Sequence, residues 1–372
     1  MVNESICLVI DEEIPYIRNV FEPFAEVRYL KCNEIKRNAL DGADGIIIRT
    51  RTRCTSALLE GTGVSFIGTV TTGIDHIDTD YCSRSGITVV HAMGCNAAAV
   101  AQYVLTSFLS MIYRQRKKLK DMTFGVIGVG NIGSRVASMA QALGMKVLLN
   151  DPPRALKEGG AGFVSLDSLL AQSDVISIHV PLQRDTWHLA DVPFFEQLTR
   201  TPIFINTSRG EVVDEAALVR FSPKMSAVVL DVWEHEPAIS KIVLDMTTLA
   251  TPHIAGYSVE GKRNATMMIV RAAATFFEWK AIKNYSIPAL SVQSLSLQKN
   301  PRGWEESLYL LLNQIFPISD EDFRLRLVPE QFEELRASYI YRRENTGYAV
   351  KGPVVDIISP KVLKALGFGV RT

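Results

Sequence analysis

Thr123-Phe124-Gly125-Val126-Ile127-Gly128-Val129-Gly130-Asn131-Ile132-Gly133 decides how this chain is read. The first five residues form a short apolar strand, and the next six are a GxGxxG turn leading into a helical stretch at 135–143. In a strand, turn and helix unit of this kind, Gly128 permits the tight turn. Gly130 lets the backbone approach a pyrophosphate, and Gly133 lets the helix pack closely on the strand. The helix start then presents unpaired amides and a positive dipole end to phosphate oxygens. The bare motif is weak and its context carries it. Asp151, at the end of the next strand (146–150), can accept both ribose hydroxyls, and its charge opposes a 2′-phosphate. That favours NAD over NADP, with Arg154 three residues later keeping NADP open.

Outward from this segment, apolar runs at 146–150, 175–179, 203–205 and 227–230 alternate with helical stretches such as 215–221, the βαβ pattern of a doubly wound parallel sheet. Earlier runs at 7–10, 45–48 and 66–67 predict another α/β unit over about the first ninety residues. The apolar stretch 97–112 carries Gln102, Thr106, Ser107 and Ser110 and is too short to span a bilayer, so it is expected as a buried helix. A long helix is expected over 259–283. Beyond Asn284 the pattern loosens into Ser- and Pro-containing strands and two amphipathic helices, 304–316 and 330–343, a small α+β domain.

A length of 372 residues predicts two or three domains. Lys plus Arg and Asp plus Glu both total 40, so no global field draws in nucleic acid or an anionic membrane, and any anion must be bound locally. Five cysteines without CxxC spacing speak against a disulfide framework or a zinc cluster, and no metal-ligand spacing occurs among the histidines. The start of the chain lacks the basic and apolar stretches of a secretory signal, and a cytoplasmic location fits best. There is no internal repeat. The mean hydropathy of +0.11 fits extra apolar surface hidden at a subunit contact.

Three successive strand ends carry the chemistry. Asn206-Thr207-Ser208-Arg209-Gly210 follows one strand, Asp231-Val232-Trp233-Glu234-His235-Glu236-Pro237 the next, and Thr251-Pro252-His253-Ile254-Ala255-Gly256-Tyr257 a third. Carboxyl ends of strands are where open α/β sheets bind ligands. The Arg209 guanidinium can grip a carboxylate with two parallel donors and polarise a neighbouring oxygen. Loss of hydride from a carbon bearing a hydroxyl needs a base for the hydroxyl proton, and histidine suits both directions near neutrality. His253 takes that role here, with Glu236 as the carboxylate that orients it. Glu234 and His235 are near enough in sequence to be alternatives. His179 ends a strand before Pro181, beside the expected cofactor site, and His76, His91 and His188 have no convincing partner in sequence.

The motifs GVGNIG, NTSRG, the DVW-EP segment and TPHIAGY are similar to those of the D-isomer-specific 2-hydroxyacid dehydrogenase family over residues 1 to about 283. The resemblance implies a Rossmann NAD-binding domain (94–256) inserted in a flavodoxin-like split substrate domain (1–93 with 257–283). It implies the same roles for Arg209, Glu236 and His253. A narrower branch, whose members act on a phosphorylated hydroxy acid, resembles the whole chain through VIDEEIPY, GTVTTGIDHID, GCNAAAVAQYV, NDPPR, LDVWEHEP, TPHIAGYSVEGK and ELRASYIYRRE. That likeness implies that 284–372 is a C-terminal dimerisation domain giving a homodimer. Thr50, Thr71 and Tyr257 match its substrate-contacting positions. Asn131, Ile132, Asp151, Val180, Thr207, Ser208, Asp231 and Gly256 match its cofactor-contacting positions, beside Gly128, Gly130 and Gly133. The chain departs from the pattern in a slightly shortened stretch between Arg209 and Glu236, and in Val180, where relatives can carry a hydroxyl residue.

Arg49, Arg51 and Arg53 alternate after the run ending at Ile48, so a strand-like continuation would put all three on one face. Arg51 and Arg53 read equally well as a solvated basic edge. Arg49, adjacent to Thr50, is the expected phosphate contact, joined by Arg342 or Arg343 of a partner subunit. The alternatives are a dehydrogenase for another hydroxy acid, such as 3-phosphoglycerate or hydroxypyruvate, or a non-catalytic NAD(H)-sensing binding protein.

Overall fold

A computed structural model of the protein describes residues 6–115, 118–297, 301 and 303–371. The chain divides into two compact units. One is the chain up to Asn96 with Val259–Ala289, the other Ala97–Ser258 with Leu290–Thr372. The segment beyond Leu290 therefore packs with the second unit rather than standing apart.

The first unit is built on five parallel strands, β1 (Cys7–Asp11), β2 (Glu26–Leu30), β3 (Gly45–Ile48), β4 (Phe66–Thr69) and β5 (Thr88–His91), in the order β2-β1-β3-β4-β5. This is the flavodoxin-like order, whose reversal between β1 and β3 opens a crevice at the strand ends. β1, β3 and β4 are buried along their whole length, as unbroken apolar runs require when both sheet faces are covered. The helix Val259–Phe276 returns to this unit and buries Ala265, Ile269, Val270 and Ala273 in its core. It ends short of the expected Lys283, because Glu278 takes a positive φ of 60°. Phe277 and Trp279 then turn inward, their ring centroids 5.7 Å from Phe66 and 5.6 Å from Phe21. Burial of these rings outweighs another turn of exposed helix.

Six parallel strands form the sheet of the second unit: β6 (Thr123–Ile127), β7 (Lys146–Asn150), β8 (Val175–Ile178), β9 (Ile203–Asn206), β10 (Ala227–Leu230) and β11 (Leu249–Ala250). Their order is β11-β10-β9-β8-β6-β7, so the topological switch lies between β6 and β8. The helix Ala97–Gln115 lies in the core, with Tyr103, Phe108 and Leu109 at 1% exposure or less. Among the described residues no helix is long and apolar enough to cross a membrane. A small parallel sheet, β12 (Gln293–Leu295), β13 (Tyr348–Val350) and β14 (Gly369–Val370), joins helices Trp304–Ile315 and Ile318–Leu327 to complete the unit.

The predicted helix over 330–343 is a helix only over Phe332–Ala337. Ser338 Oγ bonds back to the Glu334 carbonyl at 2.7 Å, and the chain then runs extended. Extension carries Arg342 inward, where it is buried and donates to the carbonyls of Ala99, Ile254, Ala255 and Tyr257 and to Gln102 Oε1. Arg342 thus ties its own chain together, which removes it from the expected role of a phosphate contact in a partner subunit. Arg343 donates to the Ser291 carbonyl.

Candidate active site

The turn after β6 and the end of β8 form one wall. Gly128 has φ of 82°, and a Cβ there would lie 2.8 Å from the His179 carbonyl and the Val180 nitrogen, so only glycine lets the turn pass. A side chain at Gly133 would overlap the Gly128 carbonyl oxygen. Above Gly130 the space is open, and the helix Asn131–Ala142 begins there without a side-chain cap. Asp151, at the end of β7, accepts from the Val129 amide at 2.8 Å and the Arg154 amide at 3.0 Å, which ties the glycine turn to the strand that carries the acid. An uncapped helix start, open space over its glycine and a carboxylate at the next strand end fit a dinucleotide's pyrophosphate and ribose. Arg154 is engaged by Glu158 at 2.7 and 2.9 Å and by the Val129 carbonyl.

Asn131 is exposed and Ile132 half-buried at this mouth, while Thr207 and Ser208 are buried at the end of β9. His179 bridges the two strand ends, its Nε2 2.9 Å from Ser177 Oγ and its Nδ1 3.5 Å from Thr207 Oγ1. Loss of solvation pulls its pKa down to about 3, so the ring stays neutral at physiological pH.

Arg209 follows from a locked turn. Asn206 Oδ1 accepts from the Ser208 amide at 3.0 Å and from its hydroxyl at 2.8 Å, while Asn206 Nδ2 donates to the Arg209 carbonyl at 2.9 Å. Gly210 then presses on the next strand-end loop, where an added Cβ would overlap the Trp233 carbonyl group and the Glu234 nitrogen. The Arg209 loop and the Glu236 loop are in close backbone contact here.

Asp231 fixes the third loop. It is 1% exposed, and its oxygens accept from Thr251 Oγ1 at 2.6 Å and from the amides of Ile254 and Ala255 at 2.8 and 2.9 Å. His253, between these anchors, is held at a φ of 57°. Its Nδ1 pairs with Glu236 Oε2 at 2.7 Å, and the other oxygen of Glu236 accepts from the Trp233 amide at 3.1 Å. Burial alone would raise the Glu236 carboxyl. The charge and hydrogen bond of His253, then Arg336, then the Trp233 amide outweigh it and hold the group below its ordinary value.

The two open alternatives separate in space. Glu234 pairs with His188 Nε2 at 2.7 Å and exchanges bonds with Glu215, and His235 is exposed. Gly256 and Tyr257 follow His253, and the Tyr257 hydroxyl accepts from Arg336 Nε at 3.2 Å. Arg336 was not singled out in the sequence. It lies in the stretch ELRASYIYRRE that carries the resemblance, but nothing local gives it a role, because its partners Tyr257 and Glu236 come from far away in the chain.

In the first unit the chain turns after Ile48, the Thr52 amide bonding to the Arg49 carbonyl at 3.2 Å, so the three alternating arginines do not continue a strand. Arg49 is gripped by both oxygens of buried Asp11, at 2.8 and 3.1 Å, and also by Glu13, which offsets its charge. Arg51 and Arg53 are exposed, as is Thr50. Thr71 Oγ1 donates to the Gly73 carbonyl and lies 2.7 Å from Thr69 Oγ1. No cluster of three or more metal-ligating side chains occurs among the described residues.

Comparison with known proteins bears on the whole chain. The description "D-isomer specific 2-hydroxyacid dehydrogenase, NAD binding domain" matches residues 92–255. The erythronate-4-phosphate dehydrogenase of Bacteroides thetaiotaomicron is 45% identical over 93% of this chain and 99% of its own length. That of Porphyromonas gingivalis is 36% identical over 97% and 99%. The chain belongs to the erythronate-4-phosphate dehydrogenase family. It is an NAD-dependent 2-hydroxyacid dehydrogenase. Among solved structures, D-lactate dehydrogenase from Aquifex aeolicus, complexed with NAD and lactic acid, is similar at 29% identity with a TM-score of 0.62, covering 76% of this chain and 100% of that one. The NAD-bound 3-phosphoglycerate dehydrogenase of Entamoeba histolytica gives 25% identity and 0.63, over 77% and 99%.

Proposed function

We propose that this chain oxidises the C2 hydroxyl of 4-phospho-D-erythronate to 2-oxo-3-hydroxy-4-phosphobutanoate, a step of pyridoxal 5′-phosphate (vitamin B6) biosynthesis. The observation that carries the reading is the 2.7 Å bond between His253 Nδ1 and Glu236 Oε2, on loops adjoining the one that holds Arg209. With Nδ1 donating to the carboxylate, Nε2 keeps its lone pair and can take the hydroxyl proton. Glu236 fixes that tautomer and stabilises the imidazolium once the proton has moved. Arg209 grips the substrate carboxylate, which orients C2 and draws electron density toward its oxygen. As the C–O bond becomes a carbonyl, the C2 hydrogen leaves with its electron pair. NAD, when bound, supplies the acceptor for that hydrogen; Gly128, Gly130, Gly133 and Asp151 would hold it.

The choice of substrate is supported by the curated relatives, which carry that activity in their names over nearly the full length of this chain. The test is NADH absorbance with 4-phosphoerythronate, 3-phosphoglycerate, glycerate and D-lactate side by side. The proposal expects the first to have the highest kcat/KM by at least tenfold. A higher value for any of the others overturns the substrate. NADH binding without oxidation of any of them would point to a sensing role.

We further propose a cytoplasmic homodimer formed through residues 284–372. Phe323 and Leu327, one turn apart on one helix, are each 66% exposed and Ile340 is 86% exposed, apolar area that a subunit contact would cover. Sedimentation equilibrium at micromolar concentration should return twice the chain mass of 41.3 kDa. A monomer there would remove the proposal.

A further inference from the structure

The C-terminal segment delivers a cation to the Glu236 and His253 pair of its own chain. Arg336 sits on the helix Phe332–Ala337, which is anchored by fully buried Phe332 in the core around β8 and β9. Its side chain is 18% exposed, and Nη1 stands 4.0 Å from Glu236 Oε2, the oxygen that also accepts from His253 Nδ1 at 2.7 Å. Nε donates to the Tyr257 hydroxyl at 3.2 Å, and the guanidinium lies 5.9 Å from the centre of that ring. One carboxylate oxygen is therefore shared between the imidazole and a permanent positive charge.

This arrangement has a direct consequence for proton transfer. A carboxylate that acts on an imidazole alone lends it all of its charge and favours retention of the proton. A guanidinium near the same oxygen opposes that retention, because both cations are drawn to one anion and repel each other. The acidic neighbours act the other way: buried Asp231 behind the histidine loop, and Glu333, whose Oε1 is 3.7 Å from Arg336 Nη1. We propose that Arg336 is a positioning residue of the active site, holding the Tyr257 hydroxyl and offsetting the charge of Glu236 so that the Glu236 and His253 pair releases its proton more readily. The inference rests on the reading of His253 as the base.

The test is the pH dependence of kcat/KM for wild type, Arg336→Gln and Arg336→Lys, with 4-phosphoerythronate and with unphosphorylated erythronate. Oxidation requires the deprotonated pair, so activity is present above the acid limb and lost as pH falls through it. The limb belongs to the pair as a unit. Removing the cation makes the pair hold its proton more tightly and should move the limb to higher pH by roughly 0.5–1 unit, for both substrates alike. The loss on the acid limb should then be about three- to tenfold and recover at higher pH, with Arg336→Lys close to wild type. An unmoved limb, or a loss that does not recover with pH, overturns the proposal. A loss confined to the phosphorylated substrate overturns it in favour of a phosphate ligand. NMR titration of ¹³C-labelled histidine in the NAD-free protein gives the same comparison without turnover, following the His253 signal in wild type and Arg336→Gln. It decides the charge coupling even if no hydroxy acid is oxidised, and equal midpoints there overturn it.

Discussion

Gly210→Ala adds one methyl group where the Arg209 loop meets the Glu236 loop. The added carbon would overlap the carbonyl carbon and oxygen of Trp233 and the nitrogen of Glu234, which are backbone atoms with no rotamer to change. Trp233 is 1% exposed, and its indole donates to the Thr251 carbonyl at 3.0 Å, so it cannot yield without disturbing the His253 loop as well. Restoring ordinary carbon contacts requires the loops to part by about 1 Å or more. A displacement of that size between the groups proposed for catalysis should cost about 100-fold in rate, and overpacking roughly 1–3 kcal/mol in stability. The glycine turn at Gly128 and the Asp151 carboxylate lie elsewhere, but Thr207, Ser208 and Asp231, expected cofactor contacts, adjoin the parted loops, so NAD affinity should weaken less than kcat/KM falls. The assay is kcat/KM for the hydroxy acid together with NADH binding by fluorescence, on protein whose folded fraction is measured by circular dichroism. A folded Gly210→Ala protein with kcat/KM within threefold of wild type would refute the coupling of the two loops.

Two further outcomes follow from the same geometry. Glu236→Gln should lower kcat by at least about 100-fold, since it removes the carboxylate that orients His253, while Glu234→Gln should stay within about fivefold because Glu234 serves His188 and Glu215; steady-state kinetics of both variants checks this, and the reverse ranking would move the role to Glu234. His179 gains its proton at about 3 when folded but near 6.5 when unfolded, so the unfolded chain binds more protons between those values and stability falls as pH drops across that window, by up to about 1.4 kcal/mol per pH unit. Denaturant unfolding from pH 7 to 4 should show a slope reduced by about one proton in His179→Gln. An identical slope would mean that His179 is protonated alike in both states.

Much of the second unit could be read from residues alone. The unbroken apolar strands β6 to β10 and the GxGxxG turn follow from local rules, since strand, turn and helix each announce themselves over a few neighbours. β2 was missed because Glu26–Leu30 is a half-exposed edge strand with polar residues, and the helix Ile318–Leu327 because its sequence is mostly charged and its anchors, Ile318 and Leu325, are few. Glu236 is preferred in the sequence, but Glu234 stays open there as an alternative because both lie just past the same strand. In the structure Glu236 faces His253, while Glu234 is taken up by His188 and Glu215, partners that come from elsewhere in the chain. The partners of Arg336 and Arg342 lay beyond reach for a related reason. Those groups, such as Tyr257 and the Ile254 carbonyl, are distant in the chain, and packing alone brings them together. The sequence also does not show that Arg49, the expected phosphate contact, is held by Asp11 and Glu13, because the pairing of β1 with β3 is what brings Asp11 to it.

The role given to the His253 imidazole is tested most directly by the single-turnover rate of NADH formation in His253→Ala, under conditions where NADH binding is measured in parallel. The account predicts a rate lower by at least about a thousandfold with cofactor affinity within about threefold of wild type. A variant that binds NADH normally and forms it within tenfold of the wild-type rate would contradict the assignment of the base.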